Sequence, residues 1–252
     1  MNDTAPDVTA GILVIGNEIL SGRTRDSNMH HLAGRLTEMG IRLREVRVVP
    51  DEMELIVAAV NEMRARFTYL FTSGGIGPTH DDITADAVAR AFGLGIGPHP
   101  EAVARMERYY PPGQFNEARR RMARTPDGAS LIDNPVSIAP GFRVANVFVM
   151  AGVPAVFEAM VAAIRHELVG GPKLLSRSVA ARLPEGQIAG PLRLVAERFA
   201  GVDIGSYPAY RNGVPTTTIV LRAVDAALLD EAAAAVAAMM RAEGAEPQDS
   251  AT

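Results

Sequence analysis

Residues 72–84 read TSGGIGPTHDDIT, with three glycines, a proline, three threonines and two adjacent aspartates in thirteen positions. The stretch follows the apolar run Tyr69-Leu70-Phe71 and precedes ADAVARAF, which reads as a helix. Open parallel sheets place ligands in such strand-to-helix loops, outside the carboxyl ends of the strands. Gly74, Gly75 and Gly77 let the chain turn sharply and bring N–H groups close to an anion, and the following helix points its positive end the same way. The amides of residues 74 to 77 are therefore candidate phosphate donors, with Thr79 beside them in the substrate-binding set. Two carboxylates next to a phosphate repel it unless a divalent cation lies between, and Mg²⁺ commonly takes one or two carboxylates plus phosphate oxygens. Asp81 and Asp82 are thus candidate metal ligands, one expected on the metal and the other holding the loop. The spacing is neither G-x-x-x-x-G-K-S/T nor G-x-G-x-x-G. A plain tight turn with Asp82 or Thr84 capping the helix uses the same residue types, and the glycines alone leave both readings open.

Upstream, GILVIG (11–16) is the continuous apolar run of a strand buried on both faces. Ser27 can cap a helix whose apolar positions Met29, Leu32, Leu36 and Met39 keep helical spacing up to Gly40. Residues 41–49 alternate as a strand nearer the edge, and 52–66 form a second helix. Downstream come helical stretches near 99–109 and 114–124, the loop DNPVSIAPGF, the strand NVFVMAG and a helix from Pro154. Alternating strands and helices predict a mostly parallel sheet covered on both faces. Gly170-Gly171-Pro172 marks a linker, beyond which a β-α-β-β-α pattern predicts a small α+β domain. The expected organisation is one domain at 10–170, a second at 174–243, and flexible tails at 1–9 and 244–252.

Composition narrows the function. A formal net charge of −4 argues against a general nucleic-acid binder. Cysteine is absent, which removes thiolate chemistry and thiolate metal sites, and Lys173 is the sole lysine. No apolar run approaches the roughly 18 residues of a membrane span, and MNDTAPDVTA lacks the features of a signal peptide, so a cytoplasmic protein without membrane partners is expected.

Other loops should converge on the same sheet edge. The loop at 16–28 offers Glu18 as a third metal ligand and Asn28 as a substrate contact, and the loop after the second strand offers Asp51. Each acid could equally be a solvated or capping residue when taken singly. His80 could shuttle a proton, although an exposed loop histidine is the commoner case. Arg119, Arg120 and Arg121 read as a solvated helix face in preference to a phosphate clamp; residues about 100° apart leave at most one of them able to aim at a given ligand. In the small domain, GQIAG (186–190) is not a G-x-x-G nucleic-acid clamp, which favours packing or dimerisation.

GNEILSG, Asp26-Ser27-Asn28, the aspartate after the second strand, GGIGPTHDDIT, and Asn134 ahead of Ala139-Pro140-Gly141 resemble the molybdopterin-binding (MoaB/Mog-like) family. The closer likeness is to its branch at the N-terminus of competence/damage-inducible protein A (CinA), over about residues 10–170. The resemblance implies a three-layer α/β/α sandwich, followed by a small KH-like domain with GSYP (205–208) as a weaker match. It also implies metal-dependent hydrolysis of ADP-ribose-type dinucleotides, or alternatively molybdopterin binding or adenylyl transfer. Asp82 and Asp51 match the functional aspartates of the family, and with His80 they form the candidate catalytic set. Asn134 and Gly141 join the substrate-binding set. The implied cofactor is Mg²⁺ or another divalent cation, with molybdopterin as the alternative ligand. The implied partners are a nucleotide or pterin phosphate and a second copy of the chain, a dimer being favoured. Ser137 replaces a common glycine, and Met150-Ala151-Gly152-Val153-Pro154 replaces the commoner Leu-Pro-Gly-Val-Pro, which touches substrate detail rather than fold. The amidohydrolase domain of longer CinA proteins, with its nicotinamide-mononucleotide deamidase activity, is expected to be absent. A non-catalytic ligand-binding or assembly module is the remaining reading.

Overall fold

The apolar run that opens the first strand has no polar side because both of its faces are covered. In the computed structural model, which describes residues 7–249, β1 (Thr9–Ile15) directs Ile12 and Val14 into one apolar cluster and Leu13 and Ile15 into another. The same alternation runs through β3 (Tyr69–Ser73) and β8 (Val147–Met150): Phe71, Phe148 and Met150 face one side, Leu70, Val147 and Val149 the other. Side chains one residue apart on a strand point to opposite faces, so a strand buried twice must be apolar throughout.

The chain divides into two compact units, residues 1–171 and 172–252. In the first, β1 is followed by α1 (Asn17–Leu20), α2 (Asn28–Glu38), β2 (Arg42–Val49) and α3 (Met53–Arg66). After β3 come α4 (Thr84–Phe92), β4 (Ile96–Pro98), α5 (Pro100–Tyr109), α6 (Glu117–Arg121), β5 (Arg124–Pro126), β6 (Ser130–Ile132) and β7 (Gly141–Val144). Beyond β8, α7 (Pro154–Ile164) completes the unit. The main sheet has the order β2-β1-β3-β8-β7-β6. The first four strands are mutually parallel and the last two run antiparallel to their neighbours. Helices α2 and α7 cover one face, α3 and α4 the other, giving the three-layer α/β/α arrangement. The Phe71 and Phe148 rings stack at 5.3 Å between centroids; burying one such side chain contributes about 1.5–3 kcal/mol.

The second unit contains β9 (Leu175–Ala181), α8 (Glu185–Arg198), β10 (Asp203–Arg211), β11 (Val214–Ala223), α9 (Ala226–Ala242) and β12 (Gln248–Asp249). Its antiparallel sheet has the order β10-β11-β9-β12 and shares an apolar core with the two helices. Asp225 accepts hydrogen bonds from the amides of Ala227 and Leu228 and so caps α9.

Three expectations need correction. The tail at 244–252 is not wholly loose, because Gln248 and Asp249 pair with β9 as an added edge strand. Of the tail at 1–9, Thr9 already belongs to β1; residues 1–6 and 250–252 lie outside the described residues. The helix expected at 114–124 shortens to α6, since Arg124–Pro126 pair with β4. No helix among the described residues is long and apolar enough to cross a membrane.

Candidate functional site

The loop between β3 and α4 is shaped by close backbone packing. Gly74 has φ +107°, and a Cβ there would lie 2.2 Å from the Ile15 carbonyl oxygen. Gly75 has φ +69°, and its Cβ would lie 2.1 Å from Thr84 Oγ1. Neither position admits a side chain. Thr84 is fully buried; its hydroxyl donates to Gly74 O at 3.0 Å and its N–H to Gly75 O at 3.0 Å, tying the loop to the first residue of α4. On the neighbouring loop, a Cβ on Gly152 would lie 3.3 Å from Gly74 Cα, so the main chains after β3 and β8 run side by side.

The two aspartates have different tasks. Asp82 accepts from Gly77 N–H at 2.7 Å, Thr79 N–H at 2.8 Å and the Thr79 hydroxyl at 2.5 Å, so it holds the loop closed. Asp81 is exposed. The Thr79 hydroxyl, whose one proton Asp81 shares with Asp82, and Asp81's own backbone N–H hold its carboxyl below the usual aspartate value, with His80 adding a weaker pull. Neither Asp82 nor Thr84 caps α4 through its side chain, contrary to the plain-turn reading. Of the expected phosphate donors, Gly74 N–H is already bonded to Met150 O at 3.1 Å and Gly77 N–H to Asp82. That leaves Gly75 and Ile76, whose amides have no intramolecular partner among the described residues.

The neighbouring loops deliver the remaining candidates unevenly. Asn28 is 4% exposed and donates to Ser73 Oγ and Gly152 O, both at 2.8 Å, so its amide locks three loops together while its Oδ1 stays buried without a partner. Asp51 accepts from Asn17 N–H at 2.9 Å, next to the exposed Glu18. It is Asp26, not Ser27, that serves the start of α2, through Met29 N–H at 2.9 Å. His80 projects into solvent, 96% exposed, with Nδ1 4.0 Å from Asp81 Oδ1.

Two proposed substrate contacts take structural roles instead. Asn134 is buried; it donates to Ser137 Oγ and Ala139 O and accepts from the amides of Val136 and Ser137, which uses its hydrogen-bonding capacity within its own loop. Gly141 lies in β7, where a Cβ would sit 2.5 Å from Val149 O, so strand packing by itself demands a glycine there.

Among the described residues no three His, Asp or Glu side chains converge as a metal set, so Asp81, Asp82 and Glu18 do not form a preassembled cage. The donors are all oxygens, and Asp82 has already used three of about four lone-pair positions. This fits a hard cation held by one or two carboxylates and completed by phosphate and water, and does not fit a site built from protein alone.

A small cleft opens beside the loop, lined by Gly75, Ile76, Gly77, Asp82, Asp86 and Arg121 together with apolar neighbours. Arg124 reaches it too but is paired with Asp86 at 2.8 Å. Arg121 is the one member of the arginine run that lines the cleft; the run allowed one phosphate-facing arginine at most, but nothing in the sequence said which.

The model of a probable molybdopterin binding domain matches residues 11–170, and that of the FAD synthase middle domain matches residues 173–249. A CinA-like protein of Geobacter sp. (strain M21) is 43% identical over 155 residues, covering 59% of this chain and 37% of that protein. A protein of Thermococcus kodakarensis is 37% identical over 214 residues, 79% of this chain and 85% of that protein. The crystal structure of CinA from Thermoplasma acidophilum, described as of unknown function, superposes with TM-score 0.61 and 31% identity over 64% of this chain and 99% of that one. The chain spans well under half the length of the two CinA-like relatives that match it at 37% of their length.

Proposed function

Since the chain belongs to the molybdopterin-binding, CinA-type family, we propose that its larger unit binds a nucleotide pyrophosphate at the 74–82 loop and hydrolyses it with a divalent cation. ADP-ribose is the first substrate to test. The observation that carries this reading is the division of labour between the paired aspartates: Asp82 fixes the loop and lines the cleft with Gly75 and Ile76, whose amides are uncommitted, while Asp81 stays exposed. Anion donors and carboxylates carried on one loop suit a phosphate that shares a cation with the protein.

In this reading the Gly75 and Ile76 N–H groups hold one phosphate at the start of α4, which no side chain caps. Asp81 and the remaining lone pair of Asp82 would hold Mg²⁺, which when bound polarises a phosphoryl oxygen and lowers the pKa of an attacking water. His80, free to swing in solvent, or the second oxygen of Asp51 takes the proton from that water. Hydrolysis of ADP-ribose then yields AMP and ribose 5-phosphate.

Incubating the purified chain with ADP-ribose and Mg²⁺, Mn²⁺ or Co²⁺ tests the proposal by release of AMP. FAD belongs in the same panel, because it is a pyrophosphate-linked dinucleotide and the smaller unit matches a domain of FAD synthase. No turnover with any of these metals would remove the hydrolase reading. A second reading, molybdopterin binding or adenylyl transfer, draws support from the description of the matching family. Tight pterin binding without AMP release would select it.

A further inference from the structure

The three arginines of α6 have different fates. Arg119 lies over the Tyr110 ring at 4.3 Å and donates to Gln114 O at 2.6 Å. Arg120 lies over the Phe115 ring at 4.6 Å and pairs with Glu107 at 3.2 Å. The Tyr110 and Phe115 rings are themselves stacked, nearly parallel at 6.1 Å, so the two cations and two rings fix the orientation of α6. Successive side chains on a helix diverge by about 100°, so anchoring two of them decides where the third goes. Arg121 turns into the cleft beside Gly75, Ile76 and Gly77, and its Nε–H is buried with no partner among the described residues.

A buried guanidinium N–H without a protein acceptor is costly, and native structures meet such a group with water, an ion or a ligand. The other charges around the cleft are committed: Asp82 to the loop amides, and Arg124 to Asp86 through hydrogen bonds of 2.8 and 3.3 Å. The unmatched feature is a cation, and it faces a glycine loop whose free amides are also anion donors. Guanidinium presents a planar fork that matches phosphate oxygens better than an ammonium does.

We propose that Arg121 and the Gly75–Ile76 amides form a two-sided phosphate subsite, with Arg121 as a substrate-binding residue that clamps a phosphate from the α6 side. The proposal rests on the reading of this loop as a phosphate site and adds the residue that closes it. The Asp86–Arg124 pair holds the neighbouring wall, so that no second guanidinium competes for the same ligand.

The test titrates inorganic pyrophosphate with Mg²⁺ into the full chain and into R121Q and R121K by calorimetry. Loss of one charge-assisted contact is expected to weaken binding by about 10- to 100-fold in R121Q, with partial recovery in R121K. In parallel, the native chain is treated with phenylglyoxal and mapped by mass spectrometry. Pyrophosphate should protect Arg121 and leave the exposed Arg120 as reactive as before. Equal affinity in R121Q, no protection of Arg121, or no pyrophosphate binding by the native chain each overturns the proposal. If R121Q fails to fold, the protection measurement on the native chain decides. Pyrophosphate binding through Arg121 without ADP-ribose hydrolysis leaves the subsite standing and removes the hydrolase. Hydrolysis with an unchanged KM in R121Q does the reverse.

Discussion

Replacing Asp82 with alanine should open the glycine loop without unfolding the domain. The carboxylate accepts from Gly77 N–H at 2.7 Å, Thr79 N–H at 2.8 Å and the Thr79 hydroxyl. Hydrogen bonds to a charged group contribute about 1.5–3 kcal/mol when well shielded and about 0.5–1.5 kcal/mol in ordinary settings. Asp82 is partly exposed, so water replaces it readily and the lower range applies, about 1.5–3 kcal/mol for the loop as a whole. Residues 77–81 lie outside the core clusters, which makes the loss a local opening. At 1.4 kcal/mol per factor of ten, the Gly77 and Thr79 amides should exchange hydrogen about 10- to 100-fold faster in D82A. The melting temperature should fall by at most about 12 °C, at roughly 2–4 °C per kcal/mol. D82N keeps one acceptor oxygen and should protect one of the two amides but not both. Hydrolysis of ADP-ribose should be lost in both variants, because the donors and the Asp81 carboxylate no longer share a fixed frame. Native-like protection of both amides in D82A, or a collapse in stability as large as that of a core deletion, would refute the reasoning.

Other substitutions separate frame from chemistry. G75A forces a side chain into left-handed backbone against Thr84 Oγ1 and should cost about 2–3 kcal/mol in denaturant unfolding. N134A strips the loop before β7 of its central acceptor and donor and should cost about 2–4 kcal/mol, with no direct effect on phosphate affinity in the surviving folded protein. F148A removes a fully buried stacked ring and should cost about 3–5 kcal/mol by the same assay. Carboxyl NMR should find Asp81 titrating below 3.8. Because its folded value is depressed, its contribution is complete above the unfolded value and disappears as pH falls through the folded one, leaving Asp81 ionised across the neutral range.

The sheet was legible wherever burial on two faces wrote a continuous apolar run, as in GILVI and VFVM. Strands β5, β6 and β7 were not, because three- or four-residue antiparallel pieces such as RTP and SLI carry no periodicity. The tight course of the loop was readable from its glycines, and so was the prospect that one aspartate would hold it. Which one was not readable, since that depends on where Thr79 folds back in space. The same limit applied to the arginine run. Arg119 and Arg120 are drawn off by rings nine and five residues away, a tertiary fact that singles out Arg121 only after α6 is in place.

The main-chain contact of Gly74 with Ile15 O and with Gly152 has a consequence for diversification. Peptide atoms, which point mutation cannot replace, fix the rim of this socket, so its dimensions are inherited with the fold. What a mutation can exchange are the fittings around it: the side chains of Ile76, His80, Asp81 and Arg121. On the proposed function, a lineage retunes the ligand by swapping a few residues while the mouth itself stays the same size.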